Sequence, residues 1–276
     1  MNISEPISRW IASEKVICSA VHFGSGANSE AKVTDEWSDL DLHVITRDVE
    51  KVKSTKWASV MPELGFRFRT IRPATGGVEK LTVVFEDGQM DLILVPQTQM
   101  RLACWGMRFG LQKWHQRLRI ALNEIHTCLR SGYSFLKGED KWGSFYQRVA
   151  TEMAGVRLDD AAITTLADVA ALDALWVWQK ISRGEYCAAQ HMLHCSLAET
   201  NFRLLRELRL RRGQSLPSFG LARRAETLLT PSELSWVKID ACANADELRR
   251  ATLAAVRGLE ALMGELEITW SLPDLP

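Results

Sequence analysis

The sequence of 276 residues lacks any Cys-x-x-Cys pair, although it contains six cysteines. Without that spacing there is no paired-cysteine signature of a zinc or redox centre. Most of the cysteines lie within apolar runs, where a free thiol packs as a small hydrophobic group. We therefore expect reduced thiols, as in a cytoplasmic protein. The cysteines are Cys18, Cys104, Cys128, Cys187, Cys195 and Cys242.

Long apolar runs are also absent. No stretch of about 18 consecutive apolar residues is free of charge, as a membrane-spanning helix requires. The N-terminal segment contains acidic residues and no long apolar core, so it does not resemble a secretory signal. These absences predict a cytoplasmic protein with no membrane partner.

Net charge is the third absence, because Lys and Arg together number 34 and Asp and Glu together also number 34. This balance carries no overall signal for nucleic acid, and we expect no nucleic-acid partner. Apolar residues make up 46% of the chain and charged residues 25%, which is typical of a globular protein. Five tryptophans are expected in the core and not in a stacking platform, although one of them could line an acceptor pocket: Trp105, Trp114, Trp142, Trp176 and Trp178.

Short apolar runs alternate with helical patterns as far as residue 97. Two of these runs, "KLTVVFEDG" and "QMDLILVP", read as strands joined by a turn at Asp87-Gly88. From Gln97 onward nearly every segment has helical periodicity. We therefore predict an α+β protein with an N-terminal mixed-sheet domain at residues 1–97 and a C-terminal α-helical bundle at residues 98–276.

A glycine-rich turn and two acids follow the first predicted strand. Gly24, Ser25 and Gly26 allow a tight turn whose N–H groups can approach a phosphate. Asp39 and Asp41 alternate with leucines in "SDLDLHV", so on a strand both carboxylates face the same side. Such a pair is unfavourable unless a cation offsets it, and Mg²⁺ is held by one or two carboxylates together with substrate phosphates.

Asp91 interrupts a later apolar strand, "GQMDLILVP". If that strand lies beside the one that carries Asp39 and Asp41, three carboxylates meet at the strand ends. Such a set suits two-metal phosphoryl or nucleotidyl transfer.

Together these motifs resemble the nucleotidyltransferase superfamily, which has the fold of DNA polymerase beta. The phrase "VVFEDGQMDLILV" and the segment "LWVWQKISRGEYCAAQHML" are similar to the aminoglycoside 6-adenylyltransferases, which modify streptomycin. The resemblance implies ATP as co-substrate, with its phosphates near Gly24 and Ser25, and Mg²⁺ on Asp39, Asp41 and Asp91. AMP would move to a hydroxyl group of a small acceptor, such as an aminoglycoside, and pyrophosphate would leave. Gly26 departs from the family, which often has arginine at this position.

The resemblance also implies that a carboxylate of the helical domain acts as general base. Glu199 is our prediction for this role, and Asp173 and Asp168 are the alternatives. Two other functions stay open: a nucleotide-binding regulatory or antitoxin-like protein with little turnover, and adenylylation of a macromolecule. The sequence leaves open whether the protein is a monomer or a homodimer.

Overall fold

The computed structural model describes residues 3–23, 39–130, 132–153, 157–214, 222 and 225–272. The chain forms two compact units, Met1–Val156 and Arg157–Pro276. The predicted α+β class is confirmed: the first unit is built on a mixed β-sheet and the second is helical.

Six strands of the first unit form one sheet in the order β3-β4-β5-β2-β1-β6. β2 and β5 are parallel, and every other neighbouring pair is antiparallel. The strands are β1 (Ile17–Phe23), β2 (Leu40–Thr46), β3 (Phe66–Ala74), β4 (Val78–Phe85), β5 (Gly88–Pro96) and β6 (Tyr133–Lys137).

Helices cover both faces of this sheet. They are α1 (Ser4–Ser13), α2 (Val49–Lys53), α3 (Trp57–Val60), α4 (Gln97–Arg108), α5 (Gln116–Leu129) and α6 (Glu139–Glu152). One face, with Leu42 and Leu92 in register, packs in a core with side chains of α1 to α3. The opposite face, with Ile45 and Val95 in register, packs with side chains of α4 to α6. Because side chains alternate along a strand, Asp41 and Asp91 belong to this second face.

The first unit extends to Val156, whereas the sequence predicted a boundary after residue 97. β6 pairs antiparallel with β1, and α4 to α6 bury one face of the sheet. These contacts join residues that are far apart in the sequence, so helical periodicity after Gln97 was a poor guide to the domain boundary. The structure therefore places this helical and strand segment with the sheet.

The second unit is a bundle of helices with two hydrophobic cores. Its α-helices are α7 (Asp160–Ser182), α8 (Tyr186–Met192), α9 (Glu199–Arg211), α10 (Ala225–Leu228), α11 (Pro231–Val237) and α12 (Ala245–Glu265). Thr230 caps α11 in a capping box with Glu233, and the side chain of Asn244 caps α12. Both caps satisfy backbone N–H groups that the first helical turn leaves without partners.

α7 is the one described helix that is long and apolar enough, by length and composition alone, to cross a membrane. Its first half buries Ile163 and Ala167 in one core of the bundle, and its second half buries Val177 and Ile181 in the other. The helix also carries Asp168 and Asp173. Of its apolar 18-residue stretch, 39% is buried, and Val169, Leu172 and Trp176 are exposed.

Candidate active site

Asp41 and Asp91 lie side by side in the centre of the sheet. They are register partners on the parallel strands β2 and β5. The Asp91 side chain is only 4% exposed and that of Asp41 is 23% exposed. An ionised carboxylate is costly to bury without partners, so the surrounding polar groups must account for Asp91.

Asp39 lies immediately before β2, not within it, and is exposed. Gln89 links it to the pair: the Gln89 Nε2 group donates to Asp39 Oδ2 at 3.2 Å and to Asp91 Oδ1 at 3.4 Å. The structure therefore connects the three predicted acids in one network. Asp41 and Asp91 form its centre, and Asp39 lies at its exposed edge.

β4 supplies the groups that offset these charges. The Lys80 ammonium group forms an ion pair with Asp91 Oδ2 and lies 3.8 Å from Asp41 Oδ1. The Thr82 hydroxyl donates to Asp91 Oδ1 at 2.6 Å, and Arg72 donates to the Thr82 hydroxyl oxygen at 3.1 Å. A lysine therefore occupies the position, between two carboxylates, where the sequence predicted a metal ion.

Sequence reasoning missed Lys80 and Thr82, although a signal was present. In "KLTVVF" the two polar side chains alternate with leucine and valine, so both must face the same side of β4. Thr82 is the register partner of Asp91, which brings this polar face beside the carboxylates. The pairing of β4 with β5 is needed to bring Lys80 and Thr82 beside the carboxylates.

Side chains near the carboxylates are held in their neutral forms. Burial, followed by the negative charges of Asp41 and Glu124, raises the pKa of the Cys128 thiol to about 12, so this thiol is protonated at neutral pH. Burial lowers the pKa of His43 to about 4, and its Nδ1 is hydrogen-bonded to the Tyr146 hydroxyl. Cys128 is therefore no nucleophile in this state, and the His43–Tyr146 pair anchors α6 to β2.

No group of three or more His, Cys, Asp or Glu side chains in the described parts of the chain is arranged to hold a metal ion. Two carboxylates do meet in register, and Mg²⁺ is commonly held by one or two carboxylates while phosphate oxygens and water complete its shell. Asp41 and Asp91 fit such a Mg²⁺ ion, provided that Lys80 moves away from Asp91.

The predicted phosphate loop cannot be placed in the same way. β1 ends at Phe23, which is the register partner of Asp41. Gly24 and Ser25 follow directly in the sequence but lie outside the described residues, as does Gly26. Phosphate binding by these residues stays a prediction.

The three candidates for general base lie in the second unit and differ in their surroundings. Glu199 is exposed at the start of α9. Asp173 is buried and accepts a hydrogen bond from the Ser196 hydroxyl, whereas Asp168 is exposed and accepts one from Trp270 Nε1 at 2.9 Å. Ser196 lies in the π-helical turn Leu193–Ala198, and such turns are frequent at functional sites. The assignment of Glu199 stays a prediction.

Two solved structures are similar to the chain over most of its length, at low identity. No protein-family model matches the sequence, and no curated protein matches it by sequence. Among solved structures, the chain is similar to an aminoglycoside 6-adenyltransferase from Bacillus subtilis, at 11% identity and a TM-score of 0.38, over 96% of this chain and 90% of that chain. It is also similar to a nucleotidyltransferase-like protein from Exiguobacterium sibiricum 255-15, at 15% identity and a TM-score of 0.30, over 93% and 71% of the two chains.

Proposed function

We propose that the protein is a Mg²⁺-dependent nucleotidyltransferase that moves AMP from ATP to a hydroxyl group of a small acceptor. The pairing of Asp41 with the buried Asp91 on adjacent parallel strands carries this proposal. Two carboxylates that meet at one register position, one of them buried, serve no packing purpose, whereas nucleotidyl transfer uses such a pair close to the triphosphate.

The network fixes the orientation of Asp91. Thr82 and Gln89 both donate to Oδ1, and Lys80 contacts Oδ2, so neither oxygen can rotate freely. Mg²⁺ bound by Asp41 and Asp91 would supply charge neutralisation for the triphosphate and the departing pyrophosphate. Lys80 then has phosphate oxygens as alternative partners for its ammonium group, in a chain where Gly26 replaces a family arginine.

Glu199 is the proposed general base, which removes the proton of the acceptor hydroxyl as the oxygen attacks the α-phosphorus. Its carboxylate is exposed, and no described side chain hydrogen-bonds to it. Asp173 and Asp168 both already accept hydrogen bonds from neighbouring side chains. We expect Glu199→Gln to lower turnover at least tenfold while ATP affinity stays near that of the wild type. Unchanged turnover would move the role to Asp173 or Asp168.

An aminoglycoside such as streptomycin is the first acceptor class to test. Residues 98–276 carry 23 basic and 20 acidic side chains, but the helical unit at residues 157–276 carries 14 basic and 16 acidic ones, so net charge does not select between a polycationic and an uncharged acceptor. The acceptor panel therefore includes uncharged hydroxylated metabolites together with aminoglycosides.

The test is incubation of the purified protein with ATP, MgCl₂ and each acceptor, with pyrophosphate release and acceptor mass as readouts. Asp41→Asn and Asp91→Asn should each lower turnover by at least about 100-fold, since each removes a charge that acts on the transferring group. Glu79→Gln is the matched control, because Glu79 is an acid of β4 that pairs with Lys53 away from the site. Two results together would contradict the proposal: no transfer to any acceptor, and an ATP affinity that neither Asp41→Asn nor Asp91→Asn changes.

Lys80 supports a second candidate, a nucleotide-binding regulatory protein with little turnover. Its ammonium group already neutralises Asp91, so a nucleotide could bind without a divalent ion. ATP binding of equal strength with Mg²⁺ and with a chelator, without pyrophosphate release, would favour this candidate over the transferase.

A further inference from the structure

A surface of the first unit, formed by α4, α5 and the turn between them, exposes large apolar side chains. Trp114 is 89% exposed, Phe109 60% and Trp105 58%. The expectation that Trp105 and Trp114 lie in the core is therefore wrong. We call this surface the α4–α5 patch, and its apolar members are Leu102, Trp105, Phe109, Leu111, Trp114 and Ile120.

The turn within the patch is structured and stands clear of its surroundings. Gly110 has a φ of 70°, and a Cβ atom added there would meet no atom within 4 Å. The Gly110 N–H group donates to Met107 O at 3.1 Å, and the His115 N–H group donates to Leu111 O at 2.8 Å. These hydrogen bonds order the backbone of the turn, which reduces the entropy lost on binding.

The patch is also basic. No Asp or Glu occurs between Asp91 and Glu124, although the chain as a whole has no net charge. Each basic side chain of this segment is exposed and forms no ion pair with a described carboxylate. These side chains are Arg101, Arg108, Lys113, Arg117 and Arg119.

We propose that the α4–α5 patch binds the surface of an anionic lipid membrane. Interfacial helices combine Trp, Phe and Leu side chains, which enter the acyl boundary, with Lys and Arg side chains, which meet anionic headgroups. Phe109, Leu111 and Trp114 are placed to insert, and the flanking Arg108 and Lys113 to contact phosphates. This proposal replaces the sequence-based expectation of no membrane partner, and it concerns a protein that lies on a membrane, not one that spans it.

Two other partners fit the patch less well. Single-stranded nucleic acid stacks its bases on aromatic faces, but Leu102, Leu111 and Ile120 offer none. A second copy of the chain, bound through the same patch by two-fold symmetry, would bring unpaired cations against cations. Of these three partners, only an anionic membrane uses both the aliphatic side chains and the positive charge.

The experiment is flotation of the full chain with vesicles of phosphatidylcholine alone, or of phosphatidylcholine mixed with phosphatidylglycerol, at low and high salt. We expect binding to the anionic vesicles at low salt and its loss at high salt. Phe109→Ala with Trp114→Ala should abolish binding, and Arg108→Glu with Lys113→Glu should weaken it about 20-fold or more. Trp176→Ala is the control, since Trp176 is a tryptophan of the second unit that is 47% exposed.

A second measurement reports insertion without relying on the double variants. Spin-labelled lipid in the anionic vesicles should quench the tryptophan fluorescence of the wild type more than that of Trp114→Phe. No binding to anionic vesicles at low salt, or equal binding by the variants, would overturn the proposal. Tighter binding to a single-stranded RNA oligonucleotide than to vesicles, or a dimer that the Phe109/Trp114 double variant dissociates, would overturn it in favour of that partner. Nucleotidyl transfer without vesicles should be unchanged in every patch variant, so this test is independent of the proposed function.

Discussion

Replacement of Lys80 by methionine tests whether this lysine holds the two carboxylates together. Unit charges at the 3.8 Å that separate Lys80 from Asp41 interact by about 4 kcal/mol at an effective dielectric constant of about 20. Removal of one partner from a buried ion pair costs about 3–5 kcal/mol. Because the Lys80 side chain is 27% exposed and Asp91 keeps Thr82 and Gln89, we expect a smaller loss, of about 2 kcal/mol in the free energy of unfolding.

Hydrogen exchange of the β4 and β5 amides in a urea series measures this loss for the first unit alone, since exchange reports local and sub-global opening. Lys51→Met is the control, because the Lys51–Glu14 pair is more exposed and should contribute less than about 1 kcal/mol. Millimolar MgCl₂ with ATP should stabilise Lys80→Met more than the wild type. In the variant, Mg²⁺ replaces the missing ammonium group as the cation that offsets the two carboxylates. A loss below about 0.5 kcal/mol, with equal Mg²⁺ responses, would refute the reasoning.

Two further predictions concern stability. Burial lowers the pKa of His43 from 6.5 to about 4, so the folded state binds a proton less readily than the unfolded chain. The free energy of unfolding is therefore highest above pH 6.5, and it falls by up to about 3 kcal/mol as the pH is lowered to 4. Urea denaturation across this pH range should show the slope, and His43→Asn should flatten it. In α12, Gly258→Ala should cost about 1–3 kcal/mol because the new methyl group would meet the Trp236 backbone, whereas Gly264→Ala, with open space, should stabilise by up to about 1 kcal/mol. Thermal unfolding of both variants measures the difference, and equal effects would contradict the packing argument.

The candidate site was predictable in its acids and not in its cation. Asp41 and Asp91 each interrupt an apolar strand. A charged residue in such a position is unusual, and the sequence alone shows it. Lys80 follows Glu79 in β4, so it does not stand out in an apolar strand, and its alternation with Leu81 and Thr82 is a weaker signal. Its meaning depends on β4 lying against β5, which is a pairing between segments and not a property of either one.

The fold shows the same division. The α+β class and the caps Thr230 and Asn244 follow from local patterns, because hydrophobic periodicity and capping act over a few neighbouring residues. The extent of the first unit does not follow from them, because β6 joins the sheet through hydrogen bonds to β1, more than a hundred residues earlier in the chain.

By itself, the sequence determined which residues alternate, which caps begin helices and which acids stand out in apolar strands. The tertiary structure alone decided that Lys80 neutralises Asp91, that the helices after residue 97 cover the sheet and that Trp105 and Trp114 face outward. The physical reason is that backbone geometry and periodicity are local, whereas burial and electrostatic pairing depend on which distant segments come together.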